Sequence, residues 1–130
     1  MKINHIALYV HDLEKMSNFY QIYLGAKIER QYRNEEQGFI ACFLIFSEGT
    51  HIEFIQPDKE LNDRDYLQCF GLTHIGFSLY SIEEVDRLSL RLEQNKYEKI
   101  DGPRYARSGF YAARFLDPEG NIIEITAPNK

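Results

Sequence analysis

The chain has 130 residues, a formal net charge of −5 and 44% apolar residues, with nine Tyr and nine Phe to fill an interior. That length is one domain, or two small halves sharing a core. The acidic balance argues against a non-specific nucleic-acid binder, no basic run suggests an anionic membrane surface, and no apolar run approaches the ~18 residues of a membrane span.

Taken in order, residues 3–10 alternate as a strand does. Asn4, Ile6, Leu8 and Val10 fall on one face and Ile3, His5, Ala7 and Tyr9 on the other. The aliphatic set needs a helix over it, which leaves His5, Ala7 and Tyr9 to line the opposite surface. Asp12 is an N-cap, the stripe Leu13, Met16, Phe19, Tyr20, Tyr23 and Leu24 has helical spacing, and Gly25 ends the helix. Residues 26–33 are polar enough for an edge strand, and residues 39–46 are continuously apolar, as a central strand should be. The turn at Glu48-Gly49 feeds a strand with Glu53 in its middle. Residues 57–72 are a polar join, with one helical turn expected around Tyr66-Leu67. A second strand then sets His74, Gly76, Ser78 and Tyr80 against Ile75, Phe77 and Leu79. Ser81 caps a second helix through Val85, Leu88 and Leu92, with Glu84 at the capping-box position. A weak strand over residues 97–101 ends at Gly102-Pro103, residues 104–109 read as a loop, and residues 110–115 as a strand. Asp117-Pro118-Glu119-Gly120 is a turn, and the strand after it carries Glu124 between Ile123 and Ile125.

The two halves repeat one another. His5 and His74 are 69 positions apart, and Glu53 and Glu124 are 71 apart. Each half reads as βαβββ, with one helix for one face of its sheet and nothing of its own for the other. The expected fold is α+β: two tandem modules, 1–56 and 73–130, joined by linker 57–72, closing their bare faces around a shared cleft with pseudo-twofold symmetry. A lone strand His is usually a core or surface residue, and a lone Glu is usually solvated. Strand parity instead puts His5, Glu53, His74 and Glu124 all opposite the aliphatic sets. Two imidazoles and two carboxylates are a complete ligand set for a divalent metal: Ni²⁺, Co²⁺, Fe²⁺, Mn²⁺ or Zn²⁺. His11 sits beside a helix cap, and His51 shares the parity of Glu53 without a counterpart in the second half, where Ile122 stands. Cys42 and Cys69 lack metal or redox spacing. They read as reduced residues of a cytoplasmic protein without a signal peptide.

Several of these stretches together carry a resemblance. They are His5-Ile6-Ala7-Leu8, Asp12-Leu13 with Phe19-Tyr20, Leu24-Gly25, Thr73-His74-Ile75-Gly76-Phe77, and Phe115 through Asp117-Pro118-Glu119-Gly120-Asn121 to Ile123-Glu124. The chain resembles, over essentially its whole length, the vicinal oxygen chelate superfamily of glyoxalase I, bleomycin-resistance proteins and extradiol dioxygenases. Its His-Glu-His-Glu set is similar to bacterial glyoxalase I, lactoylglutathione lyase. Extradiol dioxygenases and fosfomycin-modifying transferases of the superfamily use two His and one Glu, and bleomycin-binding members hold no metal. The glyoxalase pattern has an Arg at the place of Tyr9 and polar anchors after the Glu53 strand. Here those places hold Tyr9 and Ile55-Gln56-Pro57, a departure from the glutathione arm.

The resemblance implies His5, Glu53, His74 and Glu124 as metal ligands in a single glyoxalase-like domain spanning residues 1–130. It implies a lyase or isomerase acting on a small vicinal-oxygen substrate, whose carbonyl a divalent metal polarises so that an enediolate is stabilised. Glu124 is the expected mobile base and Glu53 its pseudo-symmetric partner. Tyr9, Ser78, Tyr80 and Thr126 share the inward parity and are expected to contact substrate. Arg104 and Arg107 read first as solvated loop charges, with cover of an anionic group as the alternative. The rival functions are a ligand-binding protein with an aromatic pocket of Tyr9, Tyr80 and Tyr111, and an extradiol-type dioxygenase. A cytoplasmic homodimer is expected, without nucleic-acid or membrane partners.

Overall fold

In a computed structural model, which describes residues 1–63 and 70–128, the chain divides into two units, Met1–Asp63 and Arg64–Lys130. The first holds β1 (His5–Tyr9), α1 (Leu13–Leu24), β2 (Lys27–Asn34), β3 (Phe39–Ile45) and β4 (His51–Pro57). The second holds β5 (Ile75–Ser78), α2 (Ile82–Gln94), β6 (Lys99–Tyr105), β7 (Phe110–Leu116) and β8 (Ile122–Pro128). The expected helical turn at Tyr66-Leu67 and the thiol of Cys69 lie outside the described residues.

Both helices start and stop where local chemistry says they should. The Asp12 carboxylate accepts the Lys15 N–H at 3.0 Å, and Gly25 closes α1 at φ 73. Ser81 Oγ accepts the Glu84 N–H at 3.2 Å, and the Glu84 carboxylate takes the N–H of Tyr80 at 2.8 Å. In α1 the apolar spacing buries Leu13, Met16, Phe19 and Tyr20 against β3 and β4. Tyr20 meets Phe54 edge to face at 5.0 Å. Tyr23 and Leu24 are only half-buried. In α2, Val85, Ser89 and Leu92 are buried, and the helix packs on β6, β7 and β8.

The sheets share one plan. Strand order is β1-β4-β3-β2 in the first and β5-β8-β7-β6 in the second. The first strand of each unit runs parallel to the last, and the other pairings are antiparallel. Apolar β3 is interior and polar β2 lies at the edge, as their compositions require. Asp117 Oδ1 accepts the N–H groups of Glu119 and Asn121 at 2.9 and 3.0 Å and so fixes the turn into β8.

One stretch differs from expectation. The strand expected over residues 97–101 does not stop at Gly102-Pro103, and Arg104 and Tyr105 belong to β6 rather than to a loop. An edge strand tolerates a proline, which has no N–H to donate. Two register shifts, between Lys99 and Asp101 and between Asp101 and Arg104, absorb the irregular residues. Gly102 is required there: at φ +86, a Cβ would stand 2.5 Å from the Ala112 carbonyl oxygen.

Candidate metal-binding pairs

In the first unit, the parallel pairing of β1 with β4 sets Ala7 opposite Glu53. In the second, the pairing of β5 with β8 sets Gly76 opposite Glu124. Ala7 and Gly76 each lie two residues after the histidine, so each His is a same-face diagonal neighbour of its Glu. His5 Nε2 is 3.9 Å from Glu53 Oε1, and His74 Nε2 is 3.8 Å from Glu124 Oε2. Both gaps are too long for a hydrogen bond.

The other imidazole nitrogen is occupied the same way in both units. His5 Nδ1 lies 2.7 Å from Asn4 Oδ1, and His74 Nδ1 lies 2.7 Å from Thr73 Oγ. The tautomer in which Nδ1–H donates to these oxygens leaves Nε2 as a lone-pair nitrogen facing a carboxylate. In that tautomer the two facing acceptors can share a cation. Ligands on one ion at ~2.1 Å each sit roughly 3–3.5 Å apart, so a small side-chain rotation closes either gap. The residues present therefore fit a divalent ion. Each unit brings its own His and Glu together. Among the described residues no three His, Cys, Asp or Glu side chains are gathered into a ready-made cluster.

The two carboxylates sit in unlike surroundings. Glu53 is 7% exposed, and its Oε2 accepts the Tyr32 hydroxyl at 2.8 Å. That bond, with burial, holds the Tyr32 phenol above its ordinary range. Glu124 is half-buried, and its register partner on β7 is Arg114. The Arg114 guanidinium is forked onto Asp101, at 3.2 and 2.6 Å, which holds the Asp101 carboxyl below the usual range. The corresponding register partner of Glu53 is Phe43, an apolar ring.

The expected substrate contacts divide. Thr126 is buried beside Glu124 and opposite exposed Ser78. Tyr9 is 65% exposed and Tyr80 is 85% exposed, the latter beyond the end of β5 at the start of α2. Tyr111 does not line the Glu124 face. It pairs with Ala127, on the helix side of β8, and its hydroxyl donates to Asp86 of α2 at 2.6 Å. An aromatic pocket containing Tyr111 is thereby corrected: the alternation of β7 turns Tyr111 away from Arg114. Arg104 is tied to Asp101 at 3.2 Å.

His51 does share the face of Glu53, and its Nε2 contacts the Glu29 carboxylate. His11 contacts Asp63 at 2.7 Å. Sequence reasoning missed Tyr32, Glu29 and the Arg114–Asp101 fork. β2 carries a register shift between Ile28 and Arg30, so strict alternation fails across it. Pairing β2 backwards from its turn with β3 would have put Tyr32 opposite Ala41, on the Glu53 face.

Metallothiol transferase FosB of Lysinibacillus sphaericus is 30% identical over 122 residues, covering 94% of this chain and 79% of that protein. A glyoxylase/bleomycin resistance protein/dioxygenase domain from Frankia sp. superposes with a TM-score of 0.84 at 21% identity, covering 98% of this chain and 92% of the other. The trypanothione-dependent glyoxalase I of Leishmania major gives a TM-score of 0.78 at 23% identity, covering 98% and 86%. The profile of the Glyoxalase/Bleomycin resistance protein/Dioxygenase superfamily matches residues 2–125, and the chain belongs to that superfamily.

Proposed function

We propose that the chain is a metal-dependent lyase or isomerase of glyoxalase I type. It acts on a small compound with two vicinal oxygens, and His5, Glu53, His74 and Glu124 hold one divalent ion: Ni, Co, Zn, Fe or Mn. The observation that carries this is the duplicated His–Glu pair, with the same register and nearly the same Nε2-to-carboxylate distance, 3.9 and 3.8 Å, in the two units. The likeness to a protein named a metallothiol transferase supports a resident metal. On this reading the two units make a single domain, cytoplasmic and homodimeric; Cys42, buried and free, suits a reducing compartment.

When bound, the ion would polarise a substrate carbonyl. Glu124 moves the proton between adjacent carbons. It is more exposed than Glu53 and is not tied by a phenol, so it can leave and regain its position. Glu53 is the fixed partner, held by Tyr32. Ser78 and Thr126, adjacent on β5 and β8, offer hydroxyls beside Glu124, and Tyr9 and Tyr80 supply aromatic surface.

The test starts with metal analysis. Purified protein should retain about one divalent ion per chain, and His5→Ala with His74→Ala should remove it. A chain that folds but takes up none of the five metals turns the reading to a ligand-binding protein. Turnover is then assayed on methylglyoxal hemithioacetals of glutathione and of other thiols. Oxygen uptake on catechols with Fe²⁺, and no thiol-dependent turnover, would make the protein a dioxygenase instead.

A further inference from the structure

The first unit carries a cation that its own ion pairs do not use. Arg33 is bound to Asp58 and Glu35, and in the second unit Arg104 and Arg114 are bound to Asp101. Arg30 has no carboxylate partner among the described residues. Its guanidinium carbon lies instead 4.7 Å from the ring centre of Phe43 and 5.3 Å from that of Tyr32. The register shift in β2 puts it there: Ile28 pairs with Leu44, on the helix side, whereas Arg30 pairs with Phe43, on the Glu53 side.

The neighbours define what Arg30 is placed to do. Phe43 stands edge-on to the His5 ring at 5.5 Å, and Tyr32 donates to Glu53. Arg30 is thus one ring away from each member of the His5–Glu53 pair. Stacking covers the faces of a guanidinium and leaves its N–H edge free. Glu53 does not claim that edge, since one oxygen takes the Tyr32 hydroxyl and the other faces His5. The exposed guanidinium, held over Phe43 and Tyr32 one ring away from the proposed ion, offers an N–H fork that matches a planar carboxylate.

We propose that Arg30 is a specificity-determining residue, and that it receives a carboxylate which the substrate carries away from its two vicinal oxygens. The substrate class narrows accordingly, to vicinal-oxygen compounds bearing a second, anionic end. This rests on the proposed metal site for the position of the vicinal oxygens, but not for the capture of the anion.

The experiment compares 3,4-dihydroxybenzoate with its neutral amide by calorimetric titration of the zinc-loaded full chain. Wild type should bind the acid on the order of tenfold more tightly than the amide, as a charge-assisted fork predicts. Arg30→Gln should lose that preference while keeping its zinc content and its affinity for the amide. Arg30→Lys should keep only part of it. Equal affinities in wild type, or the same preference in Arg30→Gln, would overturn the proposal and leave the metal site standing. A parallel arm titrates benzoate into metal-free protein and follows the Arg30 Nε resonance. If zinc does not bind, the titrations are run with whichever of the other four metals does, and if none of the five binds the metal site fails alone. A shifted resonance then supports the anion site, and an unmoved one removes it.

Discussion

Glu53 and Glu124 occupy equivalent register positions in the two units, yet their neighbours differ: Glu53 is buried and bonded to Tyr32, and Glu124 is half-buried opposite Arg114. Glu124→Gln keeps the shape and removes the proposed base, so turnover should fall by ~10²–10⁴ while metal content drops modestly, read by steady-state kinetics and metal analysis. Unchanged activity would dismiss Glu124 as the base. Tyr32→Phe leaves a buried Glu53 oxygen without its donor, which should cost about 1–3 kcal/mol of stability in urea unfolding. The hydroxyl of Tyr111, bonded to Asp86, is pushed up to about 12 from 10.0. A phenol that ionises later in the folded chain than in the unfolded one adds stability below pH 10 and loses it as pH rises towards 12. Wild type should therefore exceed Tyr111→Phe in denaturant midpoint at pH 8, with the gap closing above pH 10; a gap that persists at pH 12 contradicts this. At this scale the two His–Glu pairs were legible because parity and repetition both pointed to them. Tyr32 and Arg30 were not, because their face follows only from pairing β2 with β3 back from the turn, and the register shift between Ile28 and Arg30 breaks alternation counted from the start of the strand.

Helix ends were readable residue by residue, since Asp12, Gly25 and Ser81 act on backbone groups within a few positions. The edge strand β6 was not. Gly102-Pro103 punctuates a sequence locally, and only the pairing of Asp101 and Arg104 with β7 reveals that the strand passes through it. Gly102→Ala tests this. It combines an unfavourable φ with a contact no Cβ can make, and should cost about 2–4 kcal/mol, seen as a lower urea midpoint with an unchanged slope. A change under ~0.5 kcal/mol would mean that β6 yields easily there.

The repeat is what made the whole molecule legible. A His and a Glu recurring at nearly constant offset implied two βαβββ modules, and each unit has that element order. Assembly is a separate matter, because one helix covers only one face of each sheet. We expect light scattering at micromolar concentration to give twice the 15.3 kDa of one chain, and a mass of one chain alone would refute the dimer. The terminal strands β2 and β6 also bear on behaviour at high concentration. β2 presents Lys27, Glu29, Arg30 and Arg33, and β6 contains a proline and two breaks in register. Another extended chain docking on either strand would meet charge on the first and, on the second, a missing donor and a ladder out of step. The charges along β2, and the proline and register breaks that hid β6 from sequence reading, thus make both strands poor seeds for fibrous aggregation.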